Sequence, residues 1–298
     1  MRIGIIGIGN ICKKAYLPVI TAIEDLELVL CTRNENTRKE ISKKYRINEA
    51  VTTVDELLKK KIDCAFVHSS TETHFSLCKT LLENGIHVYV DKPLSYNLEE
   101  CIELLSIAKR NNRILKVGFN RRNAPMVHAL KSIGSADLII MQKNRVSTSM
   151  DPRVFLYDDF IHVLDTVRFL MGNDYKDITV NGLKDEKGLK NILVKLSNST
   201  TTAIAIMNRD NGSNEENIEM MVSGKKAIVK NLTQTTFYEN NITTIKEFGD
   251  WDTTLYKRGF ATTIENFIEE VSSGTVSYEP LEDAIKSHKL CEKILELL

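Results

Sequence analysis

The chain has 298 residues, of which 42% are hydrophobic, and its 40 Lys and Arg residues are balanced by 40 Asp and Glu residues. This composition excludes intrinsic disorder, and the zero net charge excludes binding to nucleic acid through bulk positive charge. The length predicts two domains, and no apolar run approaches the roughly 18 residues that a membrane-spanning helix needs.

The cysteines and the first residues bear on the cellular compartment. The six cysteines include no C-x-x-C pair, so we expect reduced thiols rather than disulfides. Met1-Arg2-Ile3-Gly4 leads directly into a strand-like run, so we expect no signal peptide. These features predict a cytoplasmic protein with neither a membrane nor a nucleic acid as its partner.

The first 120 residues alternate between predicted strands and predicted helices. Proline lacks the amide hydrogen that a helix interior needs, so the first helix, over 11–23, is expected to be interrupted at Pro18. A continuous apolar run, typical of a strand buried on both faces, occurs at 3–8, and further strands are predicted at 26–31, 63–68, 86–90 and 114–119. The alternation predicts an α/β fold, with right-handed βαβ units and a doubly wound parallel sheet over residues 1–120.

The pattern changes after Arg122. A strand is predicted over 137–146 and a helix over 155–171, and residues 178–247 then contain only strand-like segments. Turn signals such as Asp210-Asn211-Gly212 separate these segments. Two helices, over 254–272 and 281–297, end the chain. We therefore predict a second, α+β domain over residues 121–298 with a mainly antiparallel open sheet, and a C-terminal helix able to pack back on the first domain.

A glycine-containing turn lies where the first strand gives way to the first helix. In Gly7-Ile8-Gly9-Asn10-Ile11-Cys12, Gly7 permits a tight turn, and Gly9 permits a pyrophosphate to approach the backbone and the helix N-terminus. Cys12 stands where the dinucleotide-binding fingerprint has its third glycine. We interpret the segment as a dinucleotide-binding turn, and a purely structural turn is the alternative.

The end of the second predicted strand, Cys31-Thr32-Arg33-Asn34, bears on the choice of cofactor. Sites for NAD usually place Asp or Glu here to bind the adenosine ribose. Thr32 has no carboxylate to repel a phosphate, and Arg33 can pair with a phosphate bidentately, with Arg38 one helical turn away. These residues favour NADP over NAD, and the alternative for Arg33 is a solvated loop charge.

Lys92 is a candidate catalytic residue because of where it lies in the predicted sheet. The segment Asp91-Lys92-Pro93 directly follows a buried strand, and the carboxyl ends of strands line the ligand crevice of an open parallel sheet. Lys92 is thus placed to meet the reacting end of a cofactor. The alternative is a lysine in a surface turn.

The predicted helix over 155–171 carries a second candidate. Asp158, His162 and Asp165 share one helical face, on which two carboxylates can orient a histidine that acts as a general acid and base. Asp159 lies off this face, and we interpret it as structural. A divalent cation site and a solvated charge cluster are the alternatives, although no further clustered His or Cys supports a metal.

Together these motifs resemble those of the Gfo/Idh/MocA family, the glucose–fructose oxidoreductase and inositol dehydrogenase-like proteins, over essentially the whole chain. The segment from Gly7 to Ile11 is similar to the family's glycine turn, and Asp91-Lys92-Pro93 is similar to its E-K-P signature. The remaining matches are Ser69-Ser70-Thr71-Glu72-Thr73-His74 for T-P-N-x-x-H, Gly118-Phe119-Asn120-Arg121-Arg122-Asn123-Ala124-Pro125 for G-F-N-R-R-x-x-P, and Asp158 to Asp165 for D-x-G-x-H-x-x-D, with Phe160 in place of glycine.

The resemblance implies an NAD(P)-binding Rossmann domain and a second domain whose open sheet forms dimer or tetramer contacts. It implies that Lys92 binds the reacting oxygen, that Asp158 helps to place the substrate, and that His162 donates and accepts the proton. The Lys-Pro bond of this signature is often cis. The residues expected to contact the cofactor are Gly7, Gly9, Asn10, Ile11, Thr32, Arg33, Asn34, Arg38, Ser69, Ser70, His74, Asp91, Lys92, Asn120 and Arg121.

We therefore expect an NADP-dependent oxidoreductase, with NAD as the alternative cofactor and no metal. It would transfer hydride between the nicotinamide and a hydroxyl or carbonyl carbon of a small sugar-like or polyol substrate, as a homodimer or homotetramer. The departures at Ser70, Asp91 and Phe160 bear on the substrate more than on the chemistry.

Two other functions are the alternatives. One is a non-catalytic NAD(P)-binding sensor or regulator on the same scaffold, which would have no chemical reason to retain both Lys92 and His162. The other is a different nucleotide-dependent Rossmann enzyme such as a methyltransferase, which would leave both residues and the antiparallel domain unexplained.

Overall fold

The computed structural model describes all 298 residues and divides them into two compact units. The first unit comprises Met1–Gly118 with Phe260–Lys286, and the second comprises Phe119–Gly259 with Ser287–Leu298. The division after Gly118 lies close to the predicted boundary at residue 120. Unlike the predicted domain over 121–298, however, the second unit does not include Phe260–Lys286, which groups with the first unit. No helix combines the length and the apolar character needed to cross a membrane.

The first unit contains a six-stranded sheet. Its strands are β1 (Arg2–Ile6), β2 (Glu27–Cys31), β3 (Glu49–Val51), β4 (Cys64–Val67), β5 (His87–Val90) and β6 (Leu115–Val117). They are ordered β3-β2-β1-β4-β5-β6, and every neighbouring pair is parallel. The predicted Rossmann-type parallel sheet is confirmed.

The helices that follow these strands are α1 (Leu17–Ile20), α2 (Glu35–Tyr45), α3 (Val54–Leu58), α4 (His74–Glu83) and α5 (Leu98–Arg110). A π-helical segment, Cys12–Tyr16, precedes α1, so the single helix predicted over 11–23 is two segments of different winding. Pro18 lies in the first turn of α1, where its missing amide hydrogen leaves no helical hydrogen bond unmade.

The second unit contains an eight-stranded sheet. Its strands are β7 (Leu138–Val146), β8 (Asp177–Asp185), β9 (Gly188–Ser197), β10 (Thr202–Asn208), β11 (Asp210–Val222), β12 (Lys225–Lys230), β13 (Gln234–Glu239) and β14 (Ile242–Glu247). Their order is β14-β13-β12-β11-β7-β10-β9-β8, and only the β7–β10 pair is parallel. The mainly antiparallel open sheet is confirmed.

The turn predicted at Asp210-Asn211-Gly212 was wrong. These residues belong to β11, and the pairing of β11 with β7 shifts register between Asp210 and Glu215. Such an irregularity lets residues that usually form turns lie within a strand, because the ladder is interrupted locally without ending.

Helices of the second unit are α6 (Pro125–Leu130), α7 (Pro152–Val154), α8 (Ile161–Met171) and α9 (Thr254–Lys257), and they are followed in the chain by α10 (Phe260–Ser273) and α11 (Glu279–Leu297). The helix predicted over 155–171 is π-helical over Phe155–Phe160 and becomes α-helical only at Ile161. Helix α8 packs against β7 and β10, over buried residues such as Met141 and Ala205.

Aromatic packing explains why residues 260–286 belong to the first unit. Phe66 in β4, Tyr89 in β5 and Phe267 in α10 are all fully buried. The ring centroid of Phe267 lies 5.3 Å from that of Phe66 and 5.6 Å from that of Tyr89, in edge-on arrangements that aromatic pairs favour. Helix α10 therefore packs against β4 and β5 of the parallel sheet.

Candidate functional site

The glycine turn after β1 is shaped for close approach of another group. Gly7 has a φ of +79°, and a Cβ atom on it would lie 2.4 Å from the amide nitrogen of Ser69. Around Gly9 the space is open, because a Cβ atom there would meet only the carbonyl oxygen of His68, at 4.0 Å. The helical run begins directly afterwards, with the Lys13 amide donating to the Gly9 carbonyl at 3.1 Å. The turn and the helix N-terminus thus fit a pyrophosphate group.

Two arginines lie at the end of β2. The Arg38 guanidinium donates through Nη1 to the carbonyl oxygens of Thr32, at 2.6 Å, and of Arg33, at 3.0 Å. Arg33 itself is exposed, and Asn34 caps α2 by accepting from the Thr37 amide. Arg38 is therefore held against the turn that carries Arg33, and the two cations flank the strand end.

His74 connects the turn after β4 to the turn after β5. Its Nδ1 lies 2.9 Å from the Pro93 carbonyl oxygen, and its Nε2 lies 3.1 Å from the Ser69 carbonyl oxygen. The Thr73 hydroxyl lies 2.7 Å from the Ser69 hydroxyl and 2.8 Å from the Ser70 carbonyl oxygen. Burial lowers the pKa of His74, and the two carbonyl oxygens partly oppose this by favouring the charged ring. Both ring nitrogens face the backbone, which makes His74 a support for these turns.

Asp91, beside Lys92, is held from two directions. Its carboxylate accepts from the Tyr16 hydroxyl at 2.6 Å and lies 3.0 Å from Nδ1 of His68. Burial opposes ionisation, but the nearby His68 ring and the hydrogen bond from Tyr16 keep the pKa of Asp91 below its ordinary value. The Lys92–Pro93 peptide bond is cis, as the resemblance implies.

The glycine at position 118 makes room for this network. A Cβ atom on Gly118 would lie 2.9 Å from the Tyr89 hydroxyl oxygen and 3.1 Å from that of Tyr16. The ring of His68 lies on that of Tyr16, with centroids 3.9 Å apart. Tyr16, His68 and Tyr89 were not predicted from the sequence. The available signal was His68 itself, a histidine that ends an otherwise apolar buried run.

In the second unit, the segment after β6 is anchored by its polar side chains. Asn120 donates to the Arg258 carbonyl oxygen at 2.7 Å, and Arg121 pairs through Nε and Nη2 with the buried carboxylate of Glu216. Burial opposes the ionisation of Glu216, but Arg121 holds its pKa below the ordinary value. These contacts lie within the unit, and the cofactor contacts expected of Asn120 and Arg121 stay predictions.

His162 lies in the first turn of α8, and Asp158 lies in the π-helical segment before it. Both side chains are half-buried, whereas Asp165 is only 1% exposed. The Asp165 carboxylate accepts from Nε and Nη2 of Arg122, at 2.8 and 2.6 Å, and from the Ser287 hydroxyl, at 2.8 Å. Asp165 therefore anchors α8, and its predicted role in orienting the histidine ring stays a prediction.

Two further cofactor-binding candidates lie at the surface of the first unit. Asn10 and Ile11 are exposed at the start of the helical run after the glycine turn.

No group of three or more His, Cys, Asp or Glu side chains is arranged to hold a metal ion, and all six cysteines are free and buried.

Known proteins share both parts of this architecture. A family model described as "Oxidoreductase family, NAD-binding Rossmann fold" matches residues 1–119, and one described as "YceM-like, C-terminal domain" matches residues 125–240. YceM of Salmonella typhimurium is 33% identical over 301 residues, which cover 99% of this chain and 97% of YceM. Myo-inositol 2-dehydrogenase of Thermotoga maritima is 26% identical over 310 residues, which cover 92% of this chain and 89% of that protein.

A solved structure extends the similarity to three dimensions. The crystal structure of a Gfo/Idh/MocA family oxidoreductase from Vibrio cholerae matches with a TM-score of 0.93 at 29% identity, covering 99% of this chain and 98% of that chain. The glycine turn, the Asp-Lys-Pro segment and the His162 helix all lie within these matched regions. The chain therefore belongs to the Gfo/Idh/MocA family of oxidoreductases.

Proposed function

We propose that the chain is an NADP-dependent oxidoreductase that interconverts a hydroxyl and a carbonyl group on a small sugar-like or polyol substrate. The observation that carries the proposal is the support around Lys92: the preceding Asp91 is held by Tyr16 and His68, and the carbonyl group of the following Pro93 lies against a buried histidine. The substrate class is supported by the relative that is a myo-inositol 2-dehydrogenase.

The first unit fits a nicotinamide dinucleotide. The open backbone at Gly9 suits the pyrophosphate, and Arg33 and Arg38 supply two cations where the 2′-phosphate of NADP would lie. Asn10 follows the glycine turn after β1, and Ser69 and Ser70 lie in the turn after β4, whose backbone is close to Gly7. When bound, the nicotinamide supplies or accepts the hydride, and the protein contributes binding, orientation and charge.

The chain's own residues handle the proton and the charge. The Lys92 ammonium binds the substrate oxygen and stabilises the negative charge that develops there. His162 takes the hydroxyl proton during oxidation and returns it during reduction, as a general base and acid. Asp158 binds a hydroxyl group of the substrate one helical turn before the histidine.

We expect Arg33→Ala to weaken NADPH binding by about tenfold and to leave NADH binding unchanged. A charge-assisted hydrogen bond to a phosphate contributes about 1.5–3 kcal/mol, and the exposure of Arg33 places it at the lower end of that range. Titration of cofactor fluorescence measures both affinities. Lys39→Ala, at an exposed lysine of α2 paired with Glu35, is the matched control. Equal affinities of the unaltered protein for NADPH and NADH would contradict the NADP preference.

We expect His162→Ala to bind NADPH normally and to lose turnover by about 10²- to 10⁴-fold, the usual contribution of a general acid and base. Stopped-flow absorbance of the reduced nicotinamide, with a panel of sugars and polyols, measures the rate. His128→Ala, at an exposed histidine of the same unit, serves as the control. Unchanged turnover would remove His162 from the mechanism, and cofactor binding without redox change across the whole panel would favour a sensor.

We expect Tyr16→Phe to lower the free energy of unfolding at pH 7 by about 1–3 kcal/mol, because the buried Asp91 carboxylate loses a donor. Asp91 has a lowered pKa, so its contribution is present above the ordinary Asp value of about 4 and is lost as the pH falls further. The loss measured by urea unfolding should therefore shrink in acid. Tyr89→Phe is the control, because the Tyr89 hydroxyl contacts the Tyr16 hydroxyl and not Asp91. An equal loss of stability in both variants would contradict the assignment of Tyr16 as a donor that stabilises Asp91.

We also propose that the chain assembles as a homodimer or homotetramer through the face of the second sheet opposite α8. Ile140, Ile204 and Ile206 are partly exposed there, and Leu193, paired across the strands with Ile206, is 39% exposed. Burial of such a face against a second copy removes apolar surface from water. Light scattering of the purified protein should give a dimer or tetramer mass, and a monomer mass at all concentrations would contradict the proposal.

A further inference from the structure

We infer that Asp159 and Asp165 are positioning residues for His162. They lie three residues before and three residues after the histidine, and each fixes the backbone on its own side of the residue through a buried, multiply bonded carboxylate. The inference rests on the proposed role of His162 as the group that moves the proton.

Asp159 ties the π-helical segment to the sheet. It is 8% exposed, and its carboxylate receives hydrogen bonds from Lys143 and Arg145 of β7 and from Arg209, just after β10. Arg145 binds bidentately, at 3.0 and 2.9 Å, and Arg209 binds at 2.9 Å. The Lys143 ammonium also lies 3.4 Å from the carbonyl oxygen of Asp159, so it holds the backbone of this turn directly.

The charges of Asp159, Lys143 and Arg145 favour keeping these three side chains in contact. Burial opposes the ionisation of Asp159, but Lys143 and Arg145 hold its pKa well below the ordinary value. Burial, with repulsion from Arg121, lowers the pKa of Lys143 to about 7. Lys143 is only 2% exposed, so its ammonium has Asp159 as the charged partner within hydrogen-bonding distance that balances it. Displacement of Asp159 would leave Lys143 either as an uncompensated buried cation, which is strongly unfavourable, or deprotonated, and in both cases the charged tie to the sheet would be lost.

Asp165 ties the other side of the turn to two different elements. Arg122, in the segment after β6, binds both carboxylate oxygens, and Ser287 of α11 donates to one of them. The Ser287 hydroxyl in turn accepts from Nη1 of Arg168, one turn further along α8, at 2.9 Å. The start of α8 is thus fixed from outside the helix by hydrogen bonds with specific directions.

The need for two anchors follows from the change of winding. The helix is π-helical up to Phe160 and α-helical from Ile161, so the direction of the residue at 162 depends on where that change occurs. Apolar packing alone would tolerate small rotations of the turn, whereas buried ionic groups specify one arrangement at little net gain in stability. A displacement of about 1 Å at a reacting group can reduce the rate by about 10²-fold.

Kinetics on three variants test the inference. We expect Asp159→Asn and Asp165→Asn to lower kcat by about 10- to 100-fold with NADPH affinity unchanged and KM changed far less than kcat. Ser287→Ala removes one hydrogen bond from Asp165 and one from Arg168, but it leaves the pair between Arg122 and Asp165 intact, so we expect it to fold and to give a smaller loss of kcat. Val194→Ala, in the buried part of β9, is the control for lost stability and should leave kcat unchanged. A kcat loss in Val194→Ala equal to that of the Asn variants at matched stability would overturn the inference.

A second readout does not depend on turnover. In spectra of isotope-labelled histidine side chains, His162→Ala identifies the His162 signal among the six histidines. We expect that signal, and the pH at which it titrates, to change in the Asn variants and in Ser287→Ala, while the signals of His87 and His128 stay in place. An unchanged His162 signal in all three variants would overturn the inference. Absence of NADPH-coupled activity in the unaltered protein would instead contradict the proposed function, and the spectra would still test the positioning.

Discussion

Buried carboxylates that must be surrounded by donors determine how the predicted catalytic residues are held. Asp91 precedes Lys92 and is bound by Tyr16 and His68, while Asp159 and Asp165 stand on either side of the turn that carries the histidine. An ionised carboxylate away from water is stable only where several donors meet it. Each carboxylate therefore ties a short local segment to side chains that come from distant parts of its unit.

This constraint gives a structural reason for sequence motifs that resemble those of the family. The glycine of the segment at 118–125 leaves space for two tyrosine hydroxyl groups, and the two arginines bind Glu216 and Asp165. The Asp91 that replaces Glu in the Asp-Lys-Pro signature is reached by His68 and Tyr16, so the shorter side chain is matched by partners in this chain. The motifs thus describe a framework that holds the predicted reacting groups.

Much of the fold could be predicted because it depends on local patterns. Strand-like segments alternating with helical segments predicted the parallel sheet, and consecutive strands predicted the mainly antiparallel one. The parallel pairing of β7 with β10 and the strand at Asp210 were not predictable, because the choice of partner and register depends on tertiary packing. Likewise, Phe260–Lys286 joins the first unit through aromatic contacts that no local pattern reveals.

The sequence predicts Lys92 and His162 as site residues, but it does not reveal the residues that hold them. Tyr16 and His68 reach Asp91 across 75 and 23 residues of sequence, so their spacing carries no signal. An α-helical period placed Asp158 and His162 on one face, but Asp158 lies in a π-helical segment. Asp165 does share α8 with His162, and its partners Arg122 and Ser287 come from distant parts of the sequence. The period of a helix places side chains on faces, and a single change of winding rotates every later residue.

The most direct test of the proposed oxidoreductase activity is the transfer of deuterium from NADPH labelled at C4 of the nicotinamide to a carbonyl substrate. The protein would be incubated with the labelled cofactor and a mixture of keto and aldehyde forms of sugars and polyols, and the products analysed by mass spectrometry. We expect deuterium at one non-exchangeable carbon of one product, and no labelled product with His162→Ala or Lys92→Ala over the same time. Tight binding of NADPH with no deuterium in any product would contradict the activity and indicate a sensor.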